Sequence, residues 1–70
     1  MQVGANLVAA LTRLESLDPR KARVVMLRYF AGLSVEQTAQ ALDVSPATVK
    51  NDWTFARAWL SKAIAEQQES

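Results

Sequence analysis

The sequence predicts an all-α fold: four helices, at residues 5–16, 19–31, 35–42 and 46–65, forming a helix-turn-helix domain with no wing. Three observations carry that prediction. Apolar residues recur three and four positions apart, helix-start signatures precede the last three segments, and no stretch alternates apolar and polar residues as a half-buried strand does. In the first helix Leu7, Leu11 and Leu14 share one face, while Thr12, Arg13 and Ser16 occupy the other. Asp18-Pro19 starts the second, because an aspartate oxygen accepts orphan amide hydrogens and a proline at the first position has none to satisfy. Gly32 closes it, since a left-handed residue there carries no side-chain penalty, and Leu33 folds back toward the core. Ser34 with Gln37 makes a capping box for the third helix, whose buried face is Val35, Thr38, Ala39 and Leu42. Beyond Asp43 and Val44, Ser45-Pro46 repeats the cap-plus-proline start. Val49, Trp53, Ala56 and Leu60 then keep helical spacing, Ile64 extends the stripe, and residues 1–4 and 66–70 are expected to fray.

Seventy residues suffice for a single small domain. The chain has no cysteine and no histidine, which excludes a disulfide scaffold, a thiolate metal site and the commonest general base. Paired carboxylates, a nucleophile with its base and a phosphate-binding loop are absent as well, so the expectation is a protein that is not an enzyme and uses no cofactor or metal. Eight Lys and Arg stand against seven Asp and Glu, so only the distribution of charge, not its total, can speak for a nucleic-acid partner. No apolar run approaches the roughly 20 residues that span a bilayer, and no charged-then-apolar leader opens the chain; a cytoplasmic protein is expected.

The third helix, its short connection and the serine-capped fourth helix make the pattern in which the second helix of the pair enters the DNA major groove. Ala39 falls where the two helices cross closely, Val44 and Val49 plug the turn, and Asp43 stands where a positive φ would favour glycine. With Val49, Trp53, Ala56 and Leu60 turned inward, Ala47, Lys50, Asn51 and Thr54 share the opposite face. Asn51 suits an adenine edge, Lys50 a guanine or a phosphate, Thr48 and Thr54 a hydroxyl or thymine-methyl contact, and Arg57 a phosphate. The plain alternative is a solvated polar face, because only Lys50 and Arg57 are cationic before Lys62. Asp52 is expected beside this surface, repelling phosphate unless it turns toward Lys50, Arg57 or a neighbouring helix.

The second helix carries Arg20, Lys21, Arg23 and Arg28, a set that reads equally as a phosphate rim or as solvated surface for its first members. Arg28, near the turn, is the better placed for phosphate; Ser34 offers helix-start amides, and Ser45 joins the DNA-facing set at the head of the reading helix. Phe55 and Trp59 are costly to leave wet. Either the first helix covers them, or they join Leu7 and Leu11 in a groove that takes an apolar helix of a partner.

From Leu17 to Leu60 the residues resemble a known family. Leu-Asp-Pro-Arg-Lys-Ala-Arg-Val-Val, then Val-Glu-Gln-Thr-Ala-Gln-Ala-Leu, then Thr-Val-Lys-Asn-Asp-Trp with Ala-Arg-Ala-Trp-Leu, is similar to region four of bacterial extracytoplasmic-function sigma factors. The resemblance implies recognition of the −35 promoter element by the helix from Pro46 to Ile64, with Thr48, Lys50, Asn51, Thr54 and Arg57 toward DNA. It also implies docking on the beta-subunit flap of RNA polymerase. Many relatives carry arginine where Asp52 and Phe55 stand, so promoter preference does not transfer. Melting of the −10 element belongs to region two, so an excised or truncated domain, monomeric when isolated, is expected. An anti-sigma factor is a further candidate partner, and no membrane is implied. Two other readings stay open: a response-regulator output domain of the LuxR type, dimerising through Phe55, Trp59 and Ile64, and a module that holds an anti-sigma or scaffold protein.

Overall fold

A computed structural model describes the backbone of residues 3–68 and the side chains of residues 7–66. Met1, Gln2, Glu69 and Ser70, and the fraying expected of them, lie outside the described residues. The chain is all-α: α1 (Val3–Leu17), α2 (Pro19–Val25) running directly into a π-helical turn (Met26–Phe30), α3 (Val35–Leu42) and α4 (Pro46–Gln68). Among the described residues there is no strand, and no helix is long and apolar enough to cross a membrane. The outer ends run further than the apolar stripes suggest, because α1 already includes Gly4 and α4 continues past Glu66.

The helix boundaries follow local chemistry. Asp18 accepts from the Lys21 amide at 3.3 Å with Pro19 at the first helical position. Ser34 and Gln37 satisfy one another's backbone amides at 3.0 and 2.9 Å, the reciprocal capping box. Ser45 Oγ accepts from the Thr48 amide at 3.1 Å and starts α4. Gly32 sits at φ +73° and Asp43 at φ 57°, so glycine closes one helix and aspartate fills a left-handed position at the other turn.

The π turn is the local surprise. The Ala31 amide reaches back five residues to the Met26 carbonyl at 3.0 Å, and the Leu33 amide bonds to Leu27 at 2.9 Å. No residue of this turn is buried, and Met26, Tyr29 and Phe30 are about half exposed or more, with the Tyr29 and Phe30 rings edge-to-face at 5.0 Å. The turn buries none of its residues, so no inward apolar stripe marks it in the sequence.

Two adjoining apolar clusters hold the helices. Ala10 and Leu14 of α1, Ala22 and Val25 of α2, and Ala56, Leu60 and Ala63 of α4 form the larger, on which Leu11, Trp59 and Ile64 pack. Val24, Ala39 and Val49 form the smaller, sealed by Val35, Leu42 and Val44 between α2, α3 and α4. Trp53 packs against both. Alanine at five of these positions lets the helix axes approach closely.

The Asp18 cap also predicts a pH response. A hydrogen bond from the Lys21 ammonium at 2.7 Å holds the Asp18 carboxyl below its ordinary value of 3.8. A carboxyl whose folded pKa is depressed stabilises the fold above its unfolded pKa, and that contribution disappears as pH falls through the folded pKa. Melting temperature should therefore begin to fall below about pH 4, and Asp18→Asn should flatten that part of the profile. An identical acid profile for the variant would remove Asp18 from the account. Asp18 also raises the Lys21 ammonium, whose contribution is lost only as pH climbs past its folded pKa.

Candidate nucleic-acid interface

Four residues of α4 decide what the helix shows to solvent. Val49, Ala56 and Leu60 are buried and Trp53 is half-buried, so Ala47, Lys50, Asn51 and Thr54 stand exposed along the opposite face. α3, the left-handed turn at Asp43 and the serine-capped start of α4 therefore present one polar helix face beside a tightly packed pair. Ala39 is buried against Val49, as expected of a close crossing.

The hydroxyls at the head of α4 are already engaged. Ser45 Oγ and Thr48 Oγ1 lie 2.9 Å apart, and Ser45 also caps the helix, so both hydroxyls have a local partner before any ligand is considered. Ser34 is exposed but accepts from Gln37 in the capping box. Lys50, Asn51 and Thr54 carry no such internal contact among the described residues.

The cations divide around Trp53 and Asp52. Arg57 is exposed, its guanidinium 5.8 Å from the Trp53 ring centroid, with Arg28 at 5.4 Å from the same ring. Arg28 is half-buried and donates from Nη1 to the Leu33 carbonyl at 2.7 Å, tying the turn before α3 to the π segment. Part of the donor capacity expected to face phosphate therefore holds the loop instead. Asp52 takes the neighbouring-helix alternative. It is buried, accepts from Arg20 Nε at 2.6 Å and Nη2 at 3.3 Å, and stands 3.5 Å from Lys21 Nζ. Arg20 and Lys21 are thus neither free rim nor simple solvated surface. A carboxylate at a surface-like position gives no sign in the sequence that two cations thirty residues earlier will cover it.

The four residues expected to share a docking groove do not meet in one place. Leu7 lines a groove of about 360 Å³ with Val25, Tyr29, Trp53, Leu60 and Ile64, and Arg57 stands at its edge. Leu11 opens instead on a second hollow of about 370 Å³ between α1 and α2, with Val8, Met26 and Phe30. Trp59 is half-buried with Arg13 5.4 Å from its ring centroid, and Phe55 is 51% exposed with Lys21 Nζ at 5.1 Å. The reason is rotational: Phe55 and Trp59 lie between about a third and half of a helical turn from Trp53 and Ile64, so they flank the other side of α4. Of the residues that complete the Leu7 groove, Val25 closes α2 and Tyr29 belongs to the π turn, which the sequence did not predict.

The ECF sigma factor family model matches residues 3–66 of the chain. No curated protein and no solved structure matches it.

Proposed function

The chain belongs to the ECF sigma factor family, and from that premise we propose that it is a region-four domain that reads the −35 promoter element with α4 while docking on the polymerase flap. A sigma factor directs RNA polymerase in transcription initiation, so a DNA-facing surface and a polymerase-facing surface are both required. The observation that carries the reading is the inward Trp53 with Lys50, Asn51 and Thr54 exposed together on the opposite face. Asn51 then reads an adenine edge, Lys50 meets guanine or phosphate, Thr54 supplies a hydroxyl or methyl contact, and Arg57 meets phosphate. Thr48, Ser45, Ser34 and Arg28 join as secondary contacts through whatever donor capacity their internal partners leave.

The groove bounded by Leu7, Val25, Tyr29, Trp53, Leu60 and Ile64 supports the flap as its occupant, since an apolar helix fits an apolar channel between three helices. Tethering to polymerase raises local concentration, so the few free cations on α4 suffice in the assembled enzyme. The isolated chain is then a cytoplasmic monomer with micromolar, strongly salt-dependent affinity for DNA at best.

The test is a titration of the chain with a duplex selected from a randomised pool and with its scrambled counterpart. Lys50→Ala should weaken both complexes, and Asn51→Ala should shrink the ratio between them, each by about 1–3 kcal/mol. An unchanged ratio for Asn51→Ala removes its reading role. Salt-insensitive binding would contradict the phosphate contacts, and a concentration-dependent dimer in sedimentation would favour the response-regulator reading.

A further inference from the structure

The ion-pair cluster that joins α2 to α4 has an asymmetry that helix packing does not require. The Asp52 side chain is 5% exposed, although it directly follows the outward Asn51. It grips Arg20 through Nε and Nη2, and Arg20 Nη1 makes no hydrogen bond among the described residues. The Arg20 side chain remains 49% exposed. A carboxylate that holds Nε and one Nη of a planar guanidinium fixes the plane and leaves its other edge free to donate. Lys21 differs: its ammonium bonds Asp18 at 2.7 Å, lies over the Phe55 ring and is mostly covered. Of the two cations on Asp52, Arg20 is the more exposed, and its Nη1 is without a hydrogen bond among the described residues.

The position of that free edge matters. On α4, Asp52 and Phe55 occupy one flank of the outward face, and Trp53 and Arg57 occupy the other. Cations consequently stand on both flanks, Arg20 beside Asp52 and Arg57 beside Trp53. A duplex groove is bounded by two phosphate strands, and a helix lying in it is best held by a cation at each edge.

We propose that Asp52 is a positioning residue: its buried carboxylate orients Arg20 so that the free Nη1 edge meets a backbone phosphate when α4 lies in the groove. The inference rests on the DNA-binding reading above. An arginine held in its working rotamer before binding loses less conformational freedom on contact than a free one. The carboxylate itself is offset by Arg20 and Lys21, so it does not act on DNA as a bare negative charge.

The experiment titrates the 70-residue chain with a fluorescein-labelled duplex of random sequence at low salt, because a phosphate contact is blind to sequence. Asp52→Asn keeps the side-chain shape and removes the charge. A carboxylate with no role beyond structure or repulsion would, on removal, leave binding unchanged or tighter; positioning requires it to weaken, on the order of five-fold. Arg20→Ala should weaken binding similarly and reduce the salt slope by about 0.9, and the double variant should be no weaker than Arg20→Ala alone. Unchanged or tighter binding by Asp52→Asn, or independent losses in the double variant, overturns the proposal. Should Asp52→Asn lack a cooperative melt, the wild-type Arg20 Nε–H resonance decides: it should shift on addition of the duplex while that of Arg23 stays, and a static Arg20 signal overturns the proposal. A wild-type chain that binds no duplex at low salt overturns the DNA-binding reading itself, and is thereby told apart from a failure of Asp52 alone.

Discussion

Leu14→Ala is expected to destabilise the chain by about 2–5 kcal/mol, the largest loss any single truncation here should cause. Leu14 is 1% exposed and is the largest fully buried side chain of the cluster that joins α1, α2 and α4. Four of the six other buried residues there are alanine, short side chains that cannot swing into the space a leucine leaves. A chain of this size has little stability in reserve, so the melting temperature should fall by more than about 10 °C or the cooperative transition should vanish. Thermal unfolding followed by circular dichroism checks it. A shift of only one or two degrees would mean that α1 does not belong to the cooperative unit.

Ala39→Leu is the second large effect and acts by the opposite mechanism. Ala39 is buried where α3 meets Val24 and Val49, and the Val44 amide donates to its carbonyl at 3.0 Å. Three added heavy atoms have nowhere to go unless α3 moves off α4 or Val49 leaves its rotamer, which costs about 1–3 kcal/mol. Because α3 buttresses the first turns of α4, the change should also lower affinity for the selected duplex at a temperature where the chain is still folded. Melting and duplex titration on the same sample separate the two losses. A stable variant with unaltered binding would show that the crossing is looser than its burial indicates.

Capping chemistry made the helix starts legible. Asp18-Pro19, the Ser34–Gln37 box and Ser45-Pro46 are short-range devices, and each acts in the fold as its residue types require. The inward stripe of α4 was equally readable, because helical spacing alone separates Val49, Trp53, Ala56 and Leu60 from Lys50, Asn51 and Thr54. Asp43 was recognisable as the occupant of a left-handed position from its place in the helix-turn-helix pattern.

Other features depend on distances between residues far apart in the chain. Asp52 is separated from Arg20 by 32 positions, and no local pattern states that a carboxylate on the flank of a polar face will be buried between two cations of another helix. That Leu7 and Leu11 open on separate hollows, neither lined by Phe55 or Trp59, follows from how α1 and α4 are rotated about their axes against α2. The widened turn at Met26–Phe30, which turns Tyr29 into the Leu7 groove, likewise escapes composition and period. Residue order thus established the helices, the capped starts of the last three and the outward face of α4, since those obey interactions spanning a few residues. Packing assigned the partners of Asp52, Arg28 and the apolar grooves, because a side chain's neighbour across a helix crossing is set by the mutual orientation of whole segments.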